Sequence, residues 1–131
     1  MTMPASGNGE LFLDLRQTGG AEEMARLFPP PAYFTARIDG ALISDKAALM
    51  RALAAAFSFP AYFGGNWDAL LDCLRSLPEE IPAKGYVLAV KNPELLLGSA
   101  PGERDVFNGV VADARFFLAD NFKVPFTIII I

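Results

Sequence analysis

Residues 126–131 read "FTIIII" and residues 86–90 read "YVLAV". Neither run carries a charge, and both are far too short to cross a bilayer. Both are rich in β-branched or aromatic side chains and lack the in–out alternation of a half-exposed strand. Such runs suit strands covered on both faces, as in the parallel sheets of α/β proteins. Between them "ERDVFNGVVADARFFLADN" (103–121) sets Val106, Val110, Ala114 and Phe117 at helical spacing. A short apolar helix is predicted near Pro93–Leu97. Upstream, "AYFTARI" (32–38) reads as a strand closed by the turn signal Asp39-Gly40. Ser44 is then a candidate N-cap for "DKAALMRALAAAF" (45–57), whose Leu49, Leu53, Ala56 and Phe57 share one face. Strands alternating with helices imply parallel pairing through crossovers, and the expectation is a small α/β sandwich.

The first 32 residues read differently. A tail to about Asn8 leads into "ELFLDL" (10–15), an alternating short strand, and "AEEMARLF" (21–28), a short helix stopped by Pro29, Pro30 and Pro31. The organisation predicted is an N-terminal extension, 1–32, joined to a main domain, 33–131.

With 131 residues, 53% apolar and 20% charged, the chain has a globular balance and the length of one domain. Its start has neither a basic region nor an apolar core of a secretory signal. It has no histidine and one cysteine, Cys73. That composition excludes a zinc site of ordinary make-up, an internal disulfide and a histidine-based triad, and it suits a reducing, cytoplasmic setting. Net charge is −4, concentrated in residues 61–82, where Asp68, Asp72, Glu79 and Glu80 face Arg75 alone. A local negative field attracts cationic partners and repels nucleic acid.

That acidic stretch opens with "PAYFGGNWDALLDCLRSLP" (60–78). Gly64-Gly65 permits a tight turn, and Asn66 is a good N-cap for a helix over 67–77. Pro78 and Pro82 then bracket a loop. On a helical wheel Leu70, Cys73, Leu74 and Leu77 form a core stripe, while Asp68, Asp72 and Arg75 lie roughly opposite. Trp67 and Leu71 fall between, an apolar shoulder beside paired acids that resembles a binding surface. Ordinary structural roles compete with that reading. Asp68 in the first turn complements the helix dipole, Asp72 can pair with Arg75 at i+3, and Tyr62, Phe63 and Trp67 can serve the core. Cys73 sits on the core stripe and reads as a small buried hydrophobe rather than a nucleophile. Two carboxylates one turn apart could also hold Mg²⁺ or act as acid and base, but no third ligand stands near them.

The same stretch resembles the barstar family, intracellular protein inhibitors of small secreted ribonucleases. The matching positions are Pro60, Tyr62, Phe63, Gly64, Asn66, Trp67, Asp68, Ala69, Leu70, Asp72, Cys73 and Leu74. Ile38-Asp39-Gly40 and "TIII" extend the likeness over roughly Tyr33 to Ile131. The resemblance implies a three-stranded parallel sheet packed with helices, no enzymatic activity and no cofactor. It further implies a monomeric inhibitor, in the manner of an immunity protein or antitoxin, whose acidic helix and preceding loop plug the active site of a basic ribonuclease or toxin nuclease. Asp72 would take the place of a substrate phosphate and Asp68 would meet a flanking Arg or Lys. Tyr62 would stack on an active-site side chain, and Gly64, Asn66 and Trp67 would line the loop's contact. This chain departs from the family at Leu71, where the best-known member has tryptophan, and at Arg75, which replaces a small polar residue. Its "LPEEIPAKG" loop is longer, so that Glu79 and Glu80 offer acidic contacts from a new direction. The family's acid on its third major helix has no clear match, the region reading Phe116, Phe117, Leu118. The rival expectation is a barstar-like interaction module with a partner that is not a nuclease.

Overall fold

The computed structural model of the protein describes residues 12–131. One sheet holds β1 (Phe12–Asp14), β2 (Tyr33–Asp39), β3 (Gly85–Lys91) and β4 (Phe126–Ile130), in the order β1-β4-β3-β2, with every neighbouring pair parallel. Among the described residues the helices are α1 (Gly20–Leu27), α2 (Lys46–Phe57), α3 (Trp67–Arg75), α4 (Leu77–Glu80) and α5 (Gly102–Phe122). The tail expected up to Asn8 lies outside the described residues.

Among the described residues the sheet has four strands rather than three, because the segment before residue 33 supplies one. Phe12, Leu13 and Asp14 lie opposite Ile128, Ile129 and Ile130, and the Leu15 N–H donates to the Ile130 carbonyl at 2.9 Å. Without β1, the outer edge of β4 would present unpaired backbone groups.

Topology explains where the helices go. From β2 to β3 to β4 the chain steps one way across the sheet, whereas from β1 to β2 it crosses in the opposite sense. Parallel crossovers are right-handed, so reversing the direction puts the connecting helix on the other face. The side chains agree. Tyr86, Leu88, Val90, Phe126, Ile128 and Ile130 point into the main core with α2, α3 and α5. Val87, Ala89 and Ile129, one residue out of phase, meet Leu15 and Met24 on the opposite face, where α1 lies. Covered on both sides, β3 is buried from Gly85 to Val90, as its uncharged run foretells.

Several sequence expectations shift by a residue. The N-cap of α2 is Asp45, whose carboxylate accepts from the Ala48 N–H at 2.9 Å, while the Ser44 carbonyl accepts from the Ser99 hydroxyl. The buried stripe of α5 is Phe107, Val111, Ala114 and Leu118, leaving Val106 exposed and Val110 and Phe117 half-buried. Both stripes are apolar in sequence, and the structure turns the one containing Phe107 and Leu118 inward. The helix expected over 67–77 ends at Arg75. Pro78 has no N–H with which to extend the ladder, so one new turn, α4, starts at Leu77 where a loop was expected. Near Pro93 there is a single 3₁₀ turn, Pro93–Leu95. At the Asp39-Gly40 turn the Asn92 carbonyl approaches so closely that a Cβ would collide with backbone, which requires glycine. No helix among the described residues is long and apolar enough to cross a membrane.

Candidate functional site: the exposed face of α3

Gly65 sits at φ 71, a left-handed conformation natural to glycine, and turns the chain into α3. Asn66 then caps the helix, its Oδ1 accepting from the Ala69 N–H at 2.8 Å. The cap fixes the helix start and so the phase of every later side chain. Leu70 and Leu74 are buried in the main core, and Leu77 joins them from α4. Cys73, expected on that stripe, is half-buried.

Asp68 and Asp72 emerge on the side away from the core and are exposed. Among the described residues the ion pairs are Arg16 with Asp14 and Glu94, and Arg26 with Glu23, so neither aspartate has an internal counter-charge. The i+3 pair between Asp72 and Arg75 does not form. Arg75 turns instead to α5, where its Cζ lies 4.9 Å from the centre of the Phe117 ring, and its Nε is buried without a hydrogen-bond partner. A guanidinium stacks well on an aromatic face, and the half-buried Phe117 offers one.

The remaining expected residues divide between the two sides of the helix. Tyr62 is 81% exposed, one of the most exposed large side chains in the protein. Gly64 and Asn66 are also open to solvent. Trp67 is half-buried and occupied internally: its ring lies 6.4 Å from Phe107 and its indole N–H donates to Glu103 Oε2 at 3.0 Å. Leu71 is half-buried against the main core. Phe63 packs on Phe59 at 5.0 Å between ring centres. The Glu103 bond and the Phe117 stack span long separations in the chain, and no local spacing announces them.

The thiol of Cys73 is pushed up, first by burial and then by the negative charges of Asp72 and Glu80. A thiol held neutral is a poor nucleophile. No group of three or more metal-ligating residues occurs among the described residues. The arrangement suits recognition: two acceptor-only anions one turn apart on a rigid capped helix, with an exposed phenol beside them.

These features define a small α/β domain that presents an anionic helix face. The family model Barstar (barnase inhibitor) matches residues 33–131, and the chain belongs to that family. The matched region begins with β2, so β1 and α1 lie outside it. A search of curated proteins found no match.

Proposed function

We propose that the protein inhibits a basic ribonuclease, or a related toxin nuclease, by covering its active site with the α3 face and the loop before it. The observation that carries this reading is the pair Asp68 and Asp72, exposed and free of ion pairs among the described residues while the nearest cation on the helix is drawn away to Phe117. Asp72 mimics a substrate phosphate, taking bidentate contacts from the enzyme's cations, and Asp68 meets a flanking Arg or Lys. Tyr62 stacks on an active-site side chain, and Gly64, Asn66 and the edges of Trp67 and Leu71 complete the contact. The protein acts as a monomer in the cytoplasm, through its 33–131 domain. The deciding experiment is Asp72→Ala against the target ribonuclease. Truncating one partner of a buried charge pair costs about 2–5 kcal/mol, a general range for which barnase–barstar is itself a reference case. Unaltered inhibition by that variant would remove the proposal.

Arg75 favours a second reading, because its positive charge shares the face meant for a basic enzyme. A partner that is not a nuclease and carries an acid opposite Arg75 would suit it better. Affinity capture from the native host, followed by Asp72→Ala and Arg75→Glu competition, separates the two.

A further inference from the structure

Beside α3 a small cleft opens between the turn after α2 and the start of α4. It encloses about 70 Å³, the scale of a side-chain head group rather than of a drug-sized ligand. Its walls are apolar: Phe57 and Phe59 stack with ring centres 5.6 Å apart and planes within 8°, and Leu77 and Ile81 close the other side. Tyr62 stands at the mouth. Two carboxylates line the cleft, Asp72 from α3 and Glu80 from α4, and among the described residues no basic side chain does. Both are exposed and neither takes part in the ion pairs among the described residues. Their shared influence is felt at Cys73 inside the cleft, whose thiol is raised by burial and by both charges.

Glu80 reaches this place because Pro78 ends one helix and starts another. The matched motif stops at Leu74, so Glu80 is a feature of this chain rather than of the motif. A shallow cleft with apolar walls and two carboxylates on its rim suits a side chain laid along it, an aliphatic stem on the walls and a planar, multiply donating cation at the acids. A lysine would satisfy the charge but not the flat aromatic wall.

Building on the inhibitor reading above, we propose that this cleft receives an arginine side chain of the partner, its stem against the apolar walls and its guanidinium at the carboxylates of Asp72 and Glu80. Glu80 thereby sets which nucleases are bound.

n-Butylguanidinium, a guanidinium on an uncharged four-carbon stem, tests the cleft without any nuclease. In NMR titrations at low salt it should give saturable shifts at Tyr62, Cys73, Ser76 and Glu80. Glu80→Gln should weaken the titration at least threefold, whereas Glu79→Gln, the same charge change outside the cleft, should leave it intact. n-Butylammonium, of the same charge and stem, should bind several-fold more weakly than n-butylguanidinium. No saturable shift, or equal losses in the two glutamine variants, would overturn the assignment. Against the target ribonuclease Glu80→Gln should raise the inhibition constant at least fivefold more than Glu79→Gln does, and equal effects count against it. Saturation by n-butylguanidinium with Asp72→Ala inhibition unaltered would instead refute the inhibitor reading and leave the cleft standing.

Discussion

Arg75 lays its guanidinium over Phe117, 4.9 Å from the ring centre, and leaves Asp72, three residues before it on the same helix, without an ion-pair partner among the described residues. The stack explains why a cation survives on an acidic face without neutralising it. A cation–π contact at a partly exposed site contributes about 0.5–1 kcal/mol, so Arg75→Ala should cost no more than that in urea denaturation. On binding, the two readings part. With a basic ribonuclease the variant removes a repulsion, so association should quicken, most visibly at low salt. With an acid-bearing partner it should slow. Stopped-flow mixing at two ionic strengths distinguishes them.

Trp67 separates packing from recognition. Trp67→Phe keeps a ring against Phe107 and loses the indole N–H donated to Glu103. A hydrogen bond to a charged group contributes about 1.5–3 kcal/mol, and partial exposure places this one at the low end. Stability should therefore fall by about 1.5 kcal/mol in chemical denaturation. Inhibition should change far less than in Asp72→Ala, and a larger loss of inhibition than of stability would mean that the indole itself meets the partner.

Much of the fold was legible in single runs. The uncharged "YVLAV" and "FTIIII" announced covered strands, and Asn66 announced the start of α3 with its phase. What the sequence concealed depends on distant parts of the chain. α5 carries two apolar stripes a residue apart, and only packing against the sheet selects Phe107 over Val106. β1 was readable as a strand, but its place beside β4 follows from topology, since only three of its residues pair. At the candidate site, exposure of the aspartates followed from the wheel. The defection of Arg75 to Phe117 did not, because i+3 spacing offers Asp72 as the nearer partner.

The extension is fastened to the sheet through Met24, which is 1% exposed against Val87, Ala89 and Ile129. Met24→Ala should cost about 2–5 kcal/mol, the usual range for emptying a core methionine. The fragment 33–131, although it spans the whole matched family region, would bare that apolar face and the edge of β4. It should be less stable in thermal denaturation and more prone to associate in light scattering than the full chain. Equal stability of fragment and full chain would show that α1 covers the sheet without supporting it.

Cys73 gives a pH-dependent readout on the same helix. Burial, with Asp72 and Glu80 adding to it, raises the thiol above its ordinary value, so the folded state keeps its proton longer than the unfolded chain does. The contribution to stability is complete below the ordinary thiol range and is lost as pH climbs through the folded value. Alkylation by iodoacetamide should accordingly show its rise with pH at a higher midpoint in the folded protein than in urea. Neutralising the nearby charge with Glu80→Gln should move that midpoint down, while Glu79→Gln should not.

Gly65 supports the face from beneath, and substitutions there isolate backbone conformation from space. Its φ is +71 and a Cβ added to it would meet nothing within 4 Å, so any cost comes from the left-handed backbone alone. For alanine that cost is about 1–2 kcal/mol. Asparagine tolerates the conformation better, and Gly65→Asn should cost less than half as much as Gly65→Ala in urea denaturation. If the loop relaxes to relieve the strain, Asn66 is drawn off the Ala69 N–H, and losing that cap adds about 1 kcal/mol. Relaxation would also displace Tyr62 and Gly64 relative to α3. Under the proposed inhibition the loop and the two aspartates meet one enzyme surface together, so Gly65→Ala should then lose inhibition beyond its loss of stability. Equal stabilities for the alanine and asparagine variants would mean that the turn does not depend on the left-handed residue at all.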